Sequence, residues 1–135
     1  MSYSTIIGLF HVAAYIRLSR EDGDKEESDS VGNQRKLLLE YIRQKEDLKL
    51  YDIYIDDGYT GLNFNRPSFQ RILTDIDAKK INCVIVKDLS RIGRDHIETS
   101  RFLERVFPEM GVRFISITDN IDSYQQAYDL ILPIK

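Results

Sequence analysis

A single cysteine, Cys83, stands in the 135 residues, so the chain can form no internal disulfide framework. The two histidines, His11 and His96, lie far apart and give no zinc-binding spacing with that cysteine. No apolar run is longer than a strand, which excludes a membrane span of about 20 residues. The N-terminus lacks a basic segment followed by a long apolar stretch, which argues against a secretory leader. Together these absences place the chain in a reducing cytoplasm with no membrane partner. A surplus of basic charge is also missing: 19 Lys and Arg face 22 Asp and Glu, a net charge of −3. Free-standing nucleic-acid binders usually carry an excess of bases. The acidity is local, however. Segment 20–29 (REDGDKEESD) has six acids and two bases, which leaves the rest of the chain at +1. Nucleic acid therefore remains open as a partner at one site, bound weakly by this chain alone.

What is present is ordinary globular material: 42% hydrophobic and 30% charged residues. The length fits one domain of roughly 150 residues, large enough to bury about two-thirds of its unfolded surface. Phe10 to Leu18 (FHVAAYIRL) reads as a buried strand whose polar end carries Arg17 and Ser19. The acidic loop follows. Leu37, Leu38, Tyr41 and Ile42 then recur at helical spacing within Asn33 to Lys45, with Ser30 or Asn33 as the cap. Leu50 to Ile55 alternates as a second strand, and Asp56 to Arg66 (DDGYTGLNFNR) is a loop. Pro67 suits a first helical turn, and Phe69, Ile72, Leu73 and Ile76 complete an apolar stripe. Ile81 to Val86 (INCVIV) is a continuous apolar strand of the kind covered on both faces. A helix over Asp95 to Met110, stopped by Gly111, and a strand over Val112 to Ile117 complete the pattern. The order β-α-β-α-β-α-β predicts an open, mostly parallel α/β sheet with helices on both faces. This domain occupies residues 1–122. Residues 123–135 read as the start of a helix that the chain does not finish, as in a fragment of something longer.

In open α/β sheets, ligands bind outside the carboxyl ends of the strands. That rule gathers Arg17 and Ser19 from the first strand, Asp57, Thr60 and Arg66 from the second, and Ser90, Arg91 and Arg94 from the third. One hydroxyl and four guanidiniums converge, with few acids or histidines among them. Such a set suits a phosphate, because planar forks pair with its oxygens at any working pH. Arginines can also neutralise the charge on a transferring phosphoryl group, and a serine can serve as its nucleophile. His11, at the far end of its strand, is badly placed to activate that serine. Arginines clustered around Ser19 are the remaining source of activation. Four like charges without a phosphate between them repel one another, which favours a loosened empty site.

Several of these segments are familiar. Tyr15-Ile16-Arg17-Leu18-Ser19 resembles the Y-x-R-[VL]-S opening of the serine recombinases, the resolvase/invertase family. Asn33-Gln34-Arg35 resembles the start of its following helix. Asp56-Asp57-Gly58-Tyr59-Thr60-Gly61 with Arg66-Pro67 resembles its D-x-x-[ST]-G…R-P loop. Lys87-Asp88-Leu89-Ser90-Arg91-Ile92-Gly93-Arg94-Asp95 resembles its L-D-R-L-G-R-D stretch. Each motif alone is weak, but the ordered set is specific. The tail from Asp129 to Lys135 is similar to the large serine recombinases, among them integrases and conjugative-transposon recombinases. The resemblance implies that Ser19 attacks a DNA phosphodiester, forming a 5′-phosphoserine link that permits strand exchange and religation without metal, ATP or other cofactor. It implies that Arg17, Arg66, Arg91 and Arg94 surround the scissile phosphate. Tyr15, Gln34, Asp57, Thr60 and Ser90 would be supporting positions. It further implies DNA as the partner, with no small-molecule substrate, and a homodimer and homotetramer of the full-length protein.

Two departures stand out. Many small resolvases have Asp where this chain has Ser90, and a serine cannot replace a carboxylic acid as a strong proton donor. Asp88, two residues away, points elsewhere if the backbone is extended. The span from Ser19 to Gln34 is also longer than in small resolvases, and the acidic loop is the extra length. That loop reads as a solvated face, or as a shield that keeps stray phosphate off the arginines until DNA docks. Arg66 could alternatively pair with Asp57 and hold the loop, and Gln34 could face solvent. Cys83 reads as a core thiol. Two other functions compete: a non-catalytic resolvase-like assembly or regulatory module, and a metal-dependent nuclease using Asp56, Asp57 and Asp88.

Overall fold

The computed structural model describes residues 9–20, 23–24 and 26–124. Five strands form one sheet in the order β2-β1-β3-β4-β5: β1 (Phe10–Leu18), β2 (Leu48–Asp57), β3 (Cys83–Val86), β4 (Arg113–Ser116) and β5 (Ile121–Asp122). The first four are parallel and β5 is antiparallel to β4. The expected mostly parallel α/β sheet is therefore what the chain forms. The short β5 lies where no strand is expected, since two residues are too few to show a period.

Side chains of β1 alternate between two cores, as a strand's period of two requires. Ala13 and Tyr15 join Val84, Val86 and Phe114 on one face, under Phe69, Ile72 and Ile76 of α2 (Pro67–Asp77) and under Phe102 and Phe107. Val12, Ala14 and Ile16 join Cys83, Ile85 and Ile115 on the other, under Leu38 and Ile42 of α1 (Val31–Arg43). Helices thus cover both faces. Cys83 is fully buried, and burial pushes its thiol pKa up, in keeping with a core thiol.

Helix starts follow local chemistry. The Ser30 hydroxyl accepts from the Asn33 amide at 3.1 Å and caps α1. Pro67 opens α2. Its amides are capped from another element: the Asp56 carboxylate at the end of β2 accepts from Ser68 N at 2.9 Å and Phe69 N at 3.0 Å. The expected helix over Asp95 to Met110 is not uniform. α3 (His96–Arg101) widens into a π-helical stretch (Phe102–Val106) before a last turn (Phe107–Glu109). Pro108 in that turn has no N–H to give to a carbonyl one turn back. Ser123 and Tyr124 take up helical backbone, and the remainder of the expected C-terminal helix lies outside the described residues.

Candidate active site

The parallel register sets the site. Arg17 lies opposite Asp56 and Leu18 opposite Asp57, and the ladder extends through Gly58 N to Leu18 O at 2.7 Å. The chain leaving β3 then makes a single 3₁₀ turn, Leu89–Arg91, beside these strand ends. Arg17 and Arg66 are both fully buried, and both hold this turn by its carbonyls. Arg17 donates to Ser90 O, to Arg91 O at 3.2 Å and to Tyr59 O at 3.1 Å. Arg66 donates to Ile92 O, to Arg91 O at 2.8 Å and to Asn63 O at 3.0 Å. Its guanidinium also lies over the rings of Phe64 and Phe69, at 4.6 and 4.9 Å. Asp57 is exposed and takes no part in holding Arg66.

Beneath Arg66 lies a network rooted in the core. Arg66 donates to the Tyr15 hydroxyl at 3.1 Å, and that hydroxyl donates to Asp56 at 2.8 Å. Burial raises the Tyr15 pKa, Arg66 opposing and Asp56 reinforcing it, so the phenol stays protonated. Asp56 therefore ties the α2 start to the arginine scaffold, a role the loop-like sequence around it concealed. Gly61 is required by close approach: a Cβ there would lie 2.7 Å from Arg17 Nη2 and 2.8 Å from Arg94 Cγ. The Gly61 carbonyl accepts from Arg94 N at 2.7 Å, joining the second and third segments. Thr60 uses its hydroxyl locally, accepting from Leu62 N at 3.1 Å.

Arg91 and Arg94 are engaged differently. Arg91 forks onto the Asp24 carboxylate at 3.0 and 3.1 Å, and Arg94 approaches it at 3.7 Å. The same carboxylate accepts from the Ser19 amide at 2.9 Å. Ser19 is 3% exposed, beside this group. Burial alone would raise the Asp24 pKa, but the hydrogen bonds from Arg91 and Ser19 reverse that and hold it below the usual carboxylate range. Burial would lower the Arg91 pKa, and Asp24, Asp88 and Asp29 together raise it instead. Asp29 also accepts from Lys87 at 2.7 Å. Gln34 is buried, not solvent-facing, and donates to Arg17 O at 2.9 Å and Asp29 O at 2.7 Å.

Two expectations are corrected here. The site is not poor in acids, and its guanidiniums are not left to repel one another, because Asp24, Asp29 and Asp88 are interleaved with them. Asp88 also does not point away. The 3₁₀ turn folds the chain back, so Asp88 accepts from Ser90 N at 3.0 Å and from the Ser90 hydroxyl. The three acids considered for a metal are engaged separately: Asp56 at the α2 cap, Asp88 at Ser90, Asp57 in solvent. Among the described residues, no group of three or more His, Cys, Asp or Glu could hold a metal ion.

A buried serine thus stands at a strand end of an open, mostly parallel α/β sheet, its amide sharing one carboxylate with an arginine pair. The profile of the family "Resolvase, N terminal domain" matches residues 12–135. Among solved structures, the chain is similar to the N-terminal catalytic domain of TP901-1 integrase, with a TM-score of 0.77 and 29% identity over 91% of this chain and 88% of that one. It is also similar to a resolvase family site-specific recombinase from Streptococcus pneumoniae, with a TM-score of 0.68 and 26% identity over 85% and 76%. A serine recombinase from Sulfolobus solfataricus matches with a TM-score of 0.61 and 25% identity over 90% and 78%. A comparison with curated proteins found no match. The chain belongs to the resolvase family and is a serine recombinase catalytic domain. Among the described residues, no helix is long and apolar enough to cross a membrane.

Proposed function

We propose that this domain cuts and rejoins DNA at specific sites through a covalent serine intermediate. Ser19 Oγ attacks a backbone phosphorus and forms a P–O bond. The P–O3′ bond breaks, the serine proton is lost, and the departing 3′ oxygen takes up a proton. The resulting 5′-phosphoserine ester conserves the bond energy of the phosphodiester, so attack by a 3′-hydroxyl from another strand reverses the step without metal or ATP. Arg91 and Arg94 face the phosphate and stabilise its charge as it develops. Arg17 and Arg66 hold the turn that carries them. Tyr15, Gln34, Asp57, Thr60 and Ser90 support that frame. The full-length protein acts in the cytoplasm on DNA recombination sites, as a homodimer on each site and a homotetramer when two sites meet.

The single observation that carries this reading is the shared anchor of Ser19 and Arg91. One carboxylate, that of Asp24, satisfies the Ser19 amide and the Arg91 fork at once. An oxyanion on those donors therefore sits within reach of the serine. The test is cleavage of supercoiled DNA carrying the junctions that flank the protein's own gene, with EDTA present. The expected result is cutting by the parent protein and none by Ser19→Ala. Cutting that survives the substitution, or that stops in EDTA, would overturn the reading.

A further inference from the structure

We propose that Asp24 is a built-in occupant of the phosphate site, which a DNA phosphate must displace before Ser19 can react. This rests on the reading that the Ser19 amide, Arg91 and Arg94 receive the phosphate. The Asp24 carboxylate sits on all three: the amide at 2.9 Å, the Arg91 fork at 3.0 and 3.1 Å, and Arg94 at 3.7 Å. A guanidinium fork accepts two oxygens of a carboxylate or of a phosphate with the same geometry. A phosphodiester also carries one negative charge, as the carboxylate does. Exchanging one for the other leaves the arginines neutralised throughout, so displacement needs no change in the net charge of the site. Asp24 is 6% exposed and Ser19 is 3% exposed, so with Asp24 in place the nucleophile is covered.

Asp24 is placed to leave, whereas its neighbour Asp29 is placed to stay. Asp29 is anchored by Lys87 at 2.7 Å, and its carbonyl by the Gln34 side chain at 2.7 Å. The hydrogen bonds of the Asp24 carboxylate run to the Ser19 amide and Arg91, the donors the incoming phosphate would take over, while its backbone amide is held separately, donating to Ser19 O at 3.2 Å. The preceding Gly23 has φ +86°, a left-handed turn that directs the chain back toward Ser19. An internal occupant reduces the apparent affinity for phosphate by the fraction of molecules in which it has moved out. It therefore keeps the serine from reacting with stray phosphodiesters, while a DNA site held by further contacts can still displace it.

Titration with inorganic phosphate at low salt tests this directly. Asp24→Asn should bind phosphate about 10-fold more tightly than the parent. Glu26→Gln, which makes the same charge change at an exposed position of the same loop, should leave the affinity unchanged. Equal affinity in parent and Asp24→Asn, abolished in both by Arg91→Ala, would overturn the occupant and leave the phosphate site standing. Weaker binding by a folded Asp24→Asn would also overturn it and make Asp24 a positioning residue for Arg91. No phosphate binding by either protein would overturn both readings. A second readout is alkylation of the thiol introduced by Ser19→Cys, because Cys83 is fully buried. Adding Asp24→Asn, or Asp24→Ser should the first variant not fold, is expected to speed alkylation about 10-fold. An unchanged rate would contradict the proposal.

Discussion

The four arginines do two kinds of work, and their side-chain partners separate them, since Arg91 is as buried as Arg17 and Arg66. Arg17 and Arg66 are inside the protein, bonded to backbone carbonyls of residues 90–92. Arg91 and Arg94 meet a carboxylate that can be exchanged. Removing Arg66 leaves the buried Ile92 carbonyl without its side-chain donor and takes one donor each from Arg91 O, which keeps Arg17, and from the Tyr15 hydroxyl. Arg66→Ala should therefore lose about 1–3 kcal/mol in urea denaturation. The Arg94 side chain is about one-third exposed, so Arg94→Ala should stay within about 0.5 kcal/mol of the parent while DNA cleavage falls sharply. Equal destabilisation by the two would refute the division. Residue type and strand-end position were enough to gather Arg17, Ser19, Arg91 and Arg94 from the sequence. They could not reveal that Asp24 and Asp88 join them. Asp24 reaches the site through a left-handed glycine, and Asp88 through a one-turn 3₁₀ helix. Neither feature leaves a periodic trace.

Among the elements, β1 and α2 show how the scaffold is shared with the site. Strand β1 was readable to its ends because its apolar run faces two cores and stops where arginine and serine begin. Pro67 and the apolar stripe marked α2 equally well. Its cap was hidden, since Asp56 is eleven residues before Pro67 in sequence and reaches the helix only after the loop folds back. Asp56 thus serves the helix start, Tyr15 and, through Tyr15, Arg66. Asp56→Ala should cost about 1–2 kcal/mol for the lost cap alone, and thermal unfolding with a phosphate titration should show both stability and affinity reduced. A drop in stability with affinity intact would mean that the cap and the arginine frame are independent. The π-helical stretch and β5 were not legible, because each is set by packing and not by pattern.

At the scale of the whole molecule, an acidic chain in a DNA-acting family is reconciled by where its charge lies. The acids of segment 20–29 are not merely a solvated face, since Asp24 and Asp29 neutralise the arginines of the site. That neutralisation makes stability depend on pH. The folded pKa of Asp24 lies below its unfolded value, so its contribution is present above about pH 4 and is lost as pH falls through the folded value. Asp24→Asn lacks that contribution, and urea denaturation between neutral and strongly acidic pH should show its stability falling less steeply than the parent's. Identical slopes would remove Asp24 from the acid-sensitive groups. The covalent intermediate is the central claim, and its most direct test is to trap it. The full-length protein would be incubated in EDTA with the DNA junctions flanking its gene, the adduct quenched and digested, and the modified peptide sequenced by mass spectrometry. The account predicts a nucleotide 5′-phosphate esterified to Ser19. An adduct on any other residue, or synapsed DNA with no adduct, would contradict it.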